Sequence, residues 1–223
     1  MKELDENQLR ENKDRFISLL KEIKREGANI EGLINKLDNM GFFEAPASTV
    51  YHCSIKGGLC LHSLNVYDNL LKLAEDKSSG IVDPDRFYIK NSCVEKESII
   101  IVALLHDIVK SSMYEQYFKN EKRYSPAGSK RDEGGNYDWV ATKSYKVKEA
   151  KDRFLFSTHG HNSEYMINSF IPLKIEESIA VIHHMGYAEE LELKDLSAIY
   201  DRYPLALLLY TADLISTFVD ESI

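Results

Sequence analysis

An apolar run with a histidine and an aspartate inside it constrains this chain more than any other feature. The run reads IIIVALLHDIVK, from Ile99 to Lys110, and it is apolar on every side of a helix through Leu105. A helix of that kind lies inside a protein. An unpaired Asp107 buried there would be destabilising by several kcal/mol, so it requires a cation, a hydrogen-bond network or a metal ion. The pair His106 and Asp107 therefore predicts a buried site.

Length, charge and cysteine content limit the classes to which this protein can belong. With 223 residues, of which 43% are hydrophobic, residues 1–223 are expected to form a single domain. The formal charge of -8 disfavours a broad basic surface for long duplex nucleic acid. Three cysteines without CxxC spacing suit a reducing compartment, and the sequence shows neither a signal peptide nor an apolar run of membrane length. We expect a cytoplasmic protein without a membrane partner.

Hydrophobic periodicity predicts mostly helices. Apolar residues recur at helical spacing over residues 7–25 and 30–40, which predicts an N-terminal helical cover within residues 1–45. Further helical patterns are LCLHSLNVYDNLLKLAED, LLHDIVK, NSEYMINSFI, IEESIAVIHHMG and YPLALLLYTADLISTFVDE. Residues 118–153 instead hold paired glycines and short alternating runs, which are typical of a β-hairpin. The predicted fold class is all-α, a helical bundle with a small β-hairpin insertion.

Histidine or aspartate accompanies every strong helix after residue 57. A lone histidine on an apolar face is more often a core residue than a ligand, but a series of them together indicates a metal site. Imidazole and carboxylate ligands suit Fe, Mn, Zn or Ni, and the scarcity of nearby cysteine disfavours a structural thiolate site. The sequence thus predicts a catalytic site for one or two divalent transition-metal ions. The candidate residues are His62, His106, Asp107, His159, His161, His183, His184 and Asp213.

Five motifs in order, GGLCLHSLNV, LLHDIVK, THGHNSEYMI, IHHMG and LYTADL, resemble the HD-domain metal-dependent phosphohydrolase superfamily from about Ser48 to Phe218. The combination of GGLxxHS with HDxxK is similar to a bacterial and phage-type subset that includes RNA exonucleases and nucleotide phosphohydrolases. The resemblance implies an HD-domain helical bundle and a dinuclear metal site. It assigns the first metal to His62, His106, Asp107 and Asp213. It assigns the second to Asp107, bridging, with one histidine from each of two pairs.

The choice within each pair depends on neighbouring residues. The resemblance favours His159 over His161, because members of the family tend to have a small residue four positions after the ligand; Ser163 is at that position for His159, and the bulky Tyr165 for His161. In IHHMG, His184 falls on the position of the family, and His183 is turned from it by about 100° around a helix. His161 and His183 remain the alternatives.

The resemblance also implies catalytic roles outside the metal ligands. Lys110 is expected near substrate phosphate, and a surface lysine paired with an acid is the alternative. His52 could donate to phosphate or protonate a leaving group, or it could simply cap its loop. Asp107 is expected to bridge the metals and so to be catalytic itself.

The implied activity is hydrolysis of a phosphomonoester or phosphodiester, in a nucleotide or short nucleic acid, by a metal-activated water. The sequence has no P-loop and no G-x-S-x-G motif, so no protein nucleophile is expected. Two other functions stay open: a di-iron oxygenase of the inositol-oxygenase type on the same scaffold, and a non-enzymatic nucleotide-binding regulatory module. Expected partners are a small phosphorylated substrate, a nucleotide or short single-stranded RNA. The oligomeric state is left open.

Overall fold

The computed structural model describes residues 3–74, 86–89, 92–188 and 192–221. Its elements are the helices α1 (Glu6–Leu20), α2 (Ile30–Asn39), α3 (Gly58–Ala74), α4 (Lys96–Leu105), α5 (His159–Asn168), α6 (Ile175–Ile182), α7 (Leu193–Arg202) and α8 (Pro204–Ile215), and the strands β1 (Arg86–Ile89), β2 (Ser92–Glu95), β3 (Tyr114–Tyr124), β4 (Lys130–Asp132) and β5 (Gly135–Val147). The fold is mixed α/β, so the predicted all-α class is wrong.

The sheet that changes the fold class lies between α4 and α5. Strands β3, β5 and β4 form an antiparallel sheet in the order β3-β5-β4, with Tyr114 opposite Val147 and Tyr124 opposite Tyr137. The β3–β5 ladder therefore starts four residues before the predicted hairpin and is longer than a small insertion. Its sequence alternates with a period of two, which a helix cannot use to bury one face. Strands β1 and β2 form a second, two-stranded antiparallel sheet.

The core is helical and is centred on α3 and α4. Helix α3 packs against both α4 and α8, and α6 packs against α8, α5 and α4. Helix α4 is buried from Ser98 to Leu105, because its sequence is apolar on all sides. Pro204 occupies the first turn of α8, where its missing N–H leaves no helical bond unmade.

The first two helices cover one side of this core. Asp5 caps α1 in a capping box with Gln8, which satisfies two of the free N–H groups of the first turn. Phe16 of α1 is fully buried and packs against Phe42 and Phe43, with ring centroids 5.0 and 5.5 Å apart. Residues 3–43 therefore belong to the same hydrophobic core as the later helices.

Arg25 links the first two helices to two helices of the core. Its guanidinium contacts Glu97 in the first turn of α4 at 3.0 Å and Glu177 in the first turn of α6 at 2.7 Å. Glu177 is fully buried, and only 10% of the Arg25 side chain is exposed. A bidentate guanidinium–carboxylate pair fixes orientation as well as charge, so the starts of α4 and α6 are held in register. Within the residues that the structure describes, every helix is too short or too polar to cross a bilayer.

Candidate metal centre

The backbone changes form at the His106–Asp107 pair. Helix α4 ends at Leu105, His106 is its C-cap, and Asp107 leads into a 3-10 turn over Ile108–Ser112. The expectation that one helix runs through LLHDIVK is therefore wrong. Adjacent side chains on a continuous α-helix point about 100° apart. The break instead lets the His106 ring and the Asp107 carboxylate meet, with Nε2 3.4 Å from Oδ2.

Six predicted ligands meet at this point, brought by five parts of the helical core, one of which supplies both His106 and Asp107. His62 comes from the second turn of α3, His159 is the first residue of α5, and His184 follows α6. Asp213 lies in the last turn of α8. His62, His106 and His184 are fully buried, and Asp107 is 1% exposed. A buried cluster of three histidines and a carboxylate is unusual unless the groups are paired or bind a metal.

The two oxygens of Asp107 face different partners. Oδ2 lies 3.4 Å from His106 Nε2 and 3.9 Å from His62 Nε2. Oδ1 lies 3.3 Å from His184 Nε2 and 3.7 Å from His159 Nε2. The carboxylate thus stands between two sets of imidazoles, one for each oxygen.

Hydrogen bonds on the far side of three rings turn Nε2 toward Asp107. His106 Nδ1 donates to Ala103 O at 2.9 Å, and His184 Nδ1 donates to Val181 O at 2.6 Å. Carbonyl oxygens only accept, so Nδ1 carries the proton and Nε2 is left as the potential ligand atom. His62 is held in the same way by a carboxylate, at 3.1 Å from Nδ1.

That carboxylate belongs to Glu221, a residue that the sequence did not predict. Glu221 follows a π-helical turn over Ser216–Asp220, is 1% exposed, and also accepts from Asn65 Nδ2 at 2.8 Å. The thiol of Cys53 hydrogen-bonds to it as well. Carboxylates that orient a metal-binding histidine through its second nitrogen are a general feature of metal sites. Only its position seven residues beyond the LYTADL motif could have signalled it.

The charges of the cluster depend strongly on one another. Burial lowers the pKa of His62, but hydrogen bonds to Asp213 and Glu221 outweigh it and raise the pKa to about 10. Burial would raise the pKa of Asp107, but the charge of Lys110 and the His106 ring hold it well below its usual range. Burial and the neighbouring His184 lower the pKa of His159 to about 3. Without a metal, the cluster therefore keeps its carboxylates ionised, His62 protonated and the ring of His159 neutral at neutral pH, and a metal ion would have to displace the Nε2 proton of His62.

Lys110 lies inside the cluster. Its ammonium is 2.6 Å from Asp107 Oδ2, and its side chain is 14% exposed. Burial lowers the pKa of Lys110, but the charges of Asp107, Tyr114 and Asp213 outweigh burial and raise it above its usual value. The alternative of a lysine paired with a surface acid does not apply, because its partner is the buried carboxylate of the centre.

His52 also reaches the cluster, from the loop before α3. Its ring centroid lies 4.9 Å from that of His62, and neither of its buried nitrogens has a hydrogen-bond partner among the described residues. The loop is held close to α3 at Gly58, where a Cβ would lie 2.0 Å from the carbonyl oxygen of Cys53. A loop-capping role for His52 is therefore not what the geometry shows.

The structure separates the members of the two histidine pairs. His161 is exposed and its Nδ1 lies 2.8 Å from Thr158 Oγ1, away from Asp107. His183 is half-buried at the C-cap of α6; within the described ranges, neither it nor His159 belongs to a three-residue set of close ligand atoms, but His159 Nε2 lies 3.7 Å from Asp107 Oδ1. His159 Nε2 lies 3.1 Å from His184 Nε2. Gly160 permits this approach, since a Cβ there would lie 2.4 Å from Ile182 O.

The donor set fits a divalent transition metal. In the described part of the chain, the ligand atoms of His62, His106 and Asp213 lie within 4.8 Å of one another, as do those of His106, Asp107 and His184. His106 Nε2 and Asp107 Oδ1 are buried without a well-directed hydrogen bond, whereas His62 Nε2 lies 3.2 Å from Asp213 Oδ1 and Asp107 Oδ2 lies 2.6 Å from the Lys110 ammonium. Unsatisfied buried polar atoms cost about 1–3 kcal/mol each, and more when charged. Such atoms converging on one point are what a cation would satisfy.

Comparison of the chain with protein-family models, curated proteins and solved structures finds no match. A function for this chain therefore rests on the geometry of the cluster.

Proposed function

We propose that this protein is a metal-dependent phosphohydrolase of the HD-domain type, acting on a phosphomonoester or phosphodiester of a nucleotide or short nucleic acid. The observation that carries the proposal is the placement of the Asp107 carboxylate, with one oxygen toward His62 and His106 and the other toward His159 and His184. A carboxylate so placed suits two neighbouring metal ions, as in many two-metal phosphoesterases.

The residues divide naturally between two ions. The first would be held by His62, His106, Asp213 and Oδ2 of Asp107, and the second by His159, His184 and Oδ1 of Asp107. Ions bound there would activate a water molecule and polarise the phosphoryl oxygens. Glu221 would keep the His62 ring in its binding orientation, and the Ala103 and Val181 carbonyls would do the same for His106 and His184.

Lys110 favours an anionic substrate. Its ammonium is held within the buried site and is fully charged, so it can bind a phosphoryl oxygen and neutralise the charge that develops there. To reach substrate it must leave Oδ2 of Asp107, which a metal ion would then take over. This cation supports phosphate-ester chemistry over the oxygenase alternative.

His52 suits a contact to substrate as a neutral group. Burial, together with the charges of His62 and Lys110, lowers its pKa to about 4, so it would rarely carry a second proton at neutral pH. A neutral imidazole still donates one hydrogen bond. We therefore assign His52 to binding a phosphoryl oxygen rather than to protonating the leaving group.

The test is a set of turnover assays on the full chain, stripped of metal and then reconstituted with Mn, Fe, Zn or Ni. The substrates are nucleotides, cyclic nucleotides, dinucleotides and short RNA, under anaerobic conditions. Release of phosphate or nucleotide that depends on metal and is lost in Asp107→Asn would support the proposal. Oxygen consumption without phosphate release would favour the oxygenase, and nucleotide binding without turnover of any substrate would favour the regulatory module.

A further inference from the structure

The β3–β5–β4 sheet has two unlike faces. Directly opposed residues in an antiparallel pair share a face, and so do residues two apart on one strand. One face, which we call the aromatic face, carries the opposed pairs Tyr124 with Tyr137, Lys122 with Trp139, and Phe118 with Lys143. The other face holds Glu115 with Lys146, and Lys119, whose charge is paired with Glu121. The other face has one aromatic residue, Tyr117, under Lys146, so most of the aromatic rings of these strands are on the aromatic face.

The aromatic rings of this face are open to solvent. Phe118 is 65% exposed, Tyr124 is 50% exposed and Trp139 is 49% exposed. Lys122 lies over the rings of Tyr137 and Trp139, at 4.5 and 5.7 Å from their centroids. Large apolar groups that remain exposed on a sheet together indicate a binding surface rather than isolated surface residues.

The charge of the sheet is opposite to that of the chain as a whole. From Tyr114 to Val147 there are seven Lys or Arg against five Asp or Glu, a formal charge of +2, whereas the full chain has -8. Lys143 on the aromatic face, and Lys130 opposite Tyr137, make no salt bridge with any residue that the structure describes. The ligand that complements this face is therefore anionic and offers planar rings.

The spacing of the face suits successive bases. Side chains on one face repeat every two residues, about 6.6–6.8 Å along a strand. Between the rung of Trp139 and the rung of Phe118 lies the opposed pair Asn120 and Ala141, which carries no ring. That gap leaves room for a planar group between two aromatic side chains.

A groove connects the sheet with the loop that carries His52. It has a volume of about 500 Å³ and is lined by Thr49, Ser54 and Ile55 of the loop and, on the strands, by Lys143 of the aromatic face and by Lys119, Glu121 and Ser144 of the other face. His52 of the same loop packs against His62 of the metal centre. Lys143 thus belongs both to the aromatic face and to this groove, so a chain lying on that face would meet the groove at Lys143.

We propose that the aromatic face binds single-stranded nucleic acid, with unpaired bases stacked on Trp139, Phe118 and Tyr124 and phosphates near Lys143 and Lys130. Stacking on exposed aromatic rings beside basic residues is a general mode of single-strand recognition. Duplexes keep their base faces inside the helix and cannot use such rings. Binding by this face stands on the sheet alone, and only its role in guiding a substrate strand rests on the proposed function.

The experiment uses the full chain in the presence of chelator, so that hydrolysis cannot interfere. Trp139 is the only tryptophan of the chain, and base stacking on it should quench its fluorescence. Titration with a uridine oligomer of about 15 nucleotides should show saturable quenching that weakens as salt is raised. The same oligomer annealed to its complement should quench much less.

Variants then locate the surface, read by anisotropy of a labelled oligomer. The double variant Phe118→Ala/Trp139→Ala should raise Kd at least about tenfold. Lys143→Ala should reduce the slope of log K against log salt by about 0.7. The matched controls are Phe218→Ala, at an aromatic residue that is 71% exposed, and Lys194→Ala, whose side chain is 75% exposed. Both controls should bind like the unmodified chain.

Three results would overturn the proposal: no binding, binding equally strong in the double variant, or a preference for duplex. Self-association that the double variant abolishes, without any oligomer binding, would make the face a protein interface instead. Because the assay needs no turnover, failure of the phosphohydrolase proposal would leave this result intact, and the reverse also holds.

Discussion

The candidate metal centre and the aromatic face differ in how their side chains are positioned. The centre brings together buried side chains from separate helices, and the rings of His62, His106 and His184 are each fixed by a hydrogen bond on the far side. The aromatic face takes exposed side chains from two neighbouring strands, where the Tyr124 hydroxyl donates to Asp132 but Phe118 has no polar atom to fix its ring. Ligands of a metal must hold a narrow geometry, whereas stacked bases accept a range of positions. The comparison predicts large, all-or-none effects at the centre and graded effects on the sheet.

The largest expected effect is that of Asp107→Asn. An amide has neither the charge nor the two equivalent oxygens that face the two histidine sets, so turnover should fall by about 10³-fold or more. Steady-state rates on the best phosphoester, with elemental analysis of the purified protein, measure this. Asp68→Asn, at an acid that pairs with Arg15 on the surface of α3, is the control and should stay active. An active Asp107→Asn enzyme would remove the central carboxylate from the proposal.

The histidine pairs give the next test. His159→Ala and His184→Ala should each lose metal and most activity, because their Nε2 atoms lie 3.7 and 3.3 Å from Asp107 Oδ1. His161→Ala and His183→Ala should keep their metal, because the structure directs neither ring to that oxygen. Metal content per chain after dialysis distinguishes the pairs. Equal loss in all four variants would contradict the division of the cluster.

Lys110→Met should separate substrate binding from metal binding. Removing the ammonium should lower turnover by about 10²–10³-fold, the size seen when one preorganised electrostatic donor is lost. Its metal affinity should rise or stay level, because the ammonium now pairs with Asp107 Oδ2 and competes for that oxygen. Competition with a chelating dye measures the affinity. Loss of metal together with activity would mean that Lys110 supports the site only structurally.

Glu221→Gln should have a smaller effect. Loss of a carboxylate that orients a metal-binding histidine weakens metal affinity by about 10–100-fold. The adjacent acid supplies a matched control, because Asp220 accepts from Asn69 at 2.6 Å instead of contacting His62. Asp220→Asn should therefore bind metal like the unmodified chain. Indistinguishable metal affinities for the two variants would argue against a positioning role for Glu221.

Thermal stability should show the smallest and clearest contrast between the two regions. Saturating metal at about 100 times its Kd would stabilise the fold by about 2.7 kcal/mol, so chelation should lower Tm by about 5–10 °C. The double variant Phe118→Ala/Trp139→Ala lies on an exposed surface and should change stability by about 0.5 kcal/mol or less. Differential scanning calorimetry compares the two. If chelation left Tm unchanged, a metal site built from several helices would be contradicted.

The sequence predicted the helical core better than the sheet. An all-round apolar pattern such as that of α4 has few alternatives to burial, and Pro204 marks the start of α8. The strand pattern from Tyr114 to Val147 signalled a hairpin, but its length depends on pairing between residues up to 33 apart, such as Tyr114 with Val147. Local periodicity carries no information on such register, and this is why the all-α class was wrong.

Candidate ligands could be read from the sequence because each lies on or next to an apolar helix. The end of α4 after Leu105 could not be predicted, because the apolar pattern of LLHDIVK is compatible with a continuous helix. Glu221 was missed for a different reason: its role depends on contacts with His62 and Asn65, which are more than 150 residues away in sequence. Tertiary partners of this kind leave no local pattern.

Arg25 has a consequence for how this chain tolerates changes in length. Its guanidinium binds Glu97 of α4 and Glu177 of α6. These two helices lead to His106 and His184 respectively. Each helix therefore fixes the distance between its ion pair with Arg25 and the histidine that it brings to the candidate metal centre. One inserted residue would turn everything beyond it by about 100° and advance it by 1.5 Å. Single-residue insertions or deletions within α4 or α6 are therefore expected to displace His106 or His184 and abolish metal binding. The turn between β3 and β4 can change length without moving any residue of the centre.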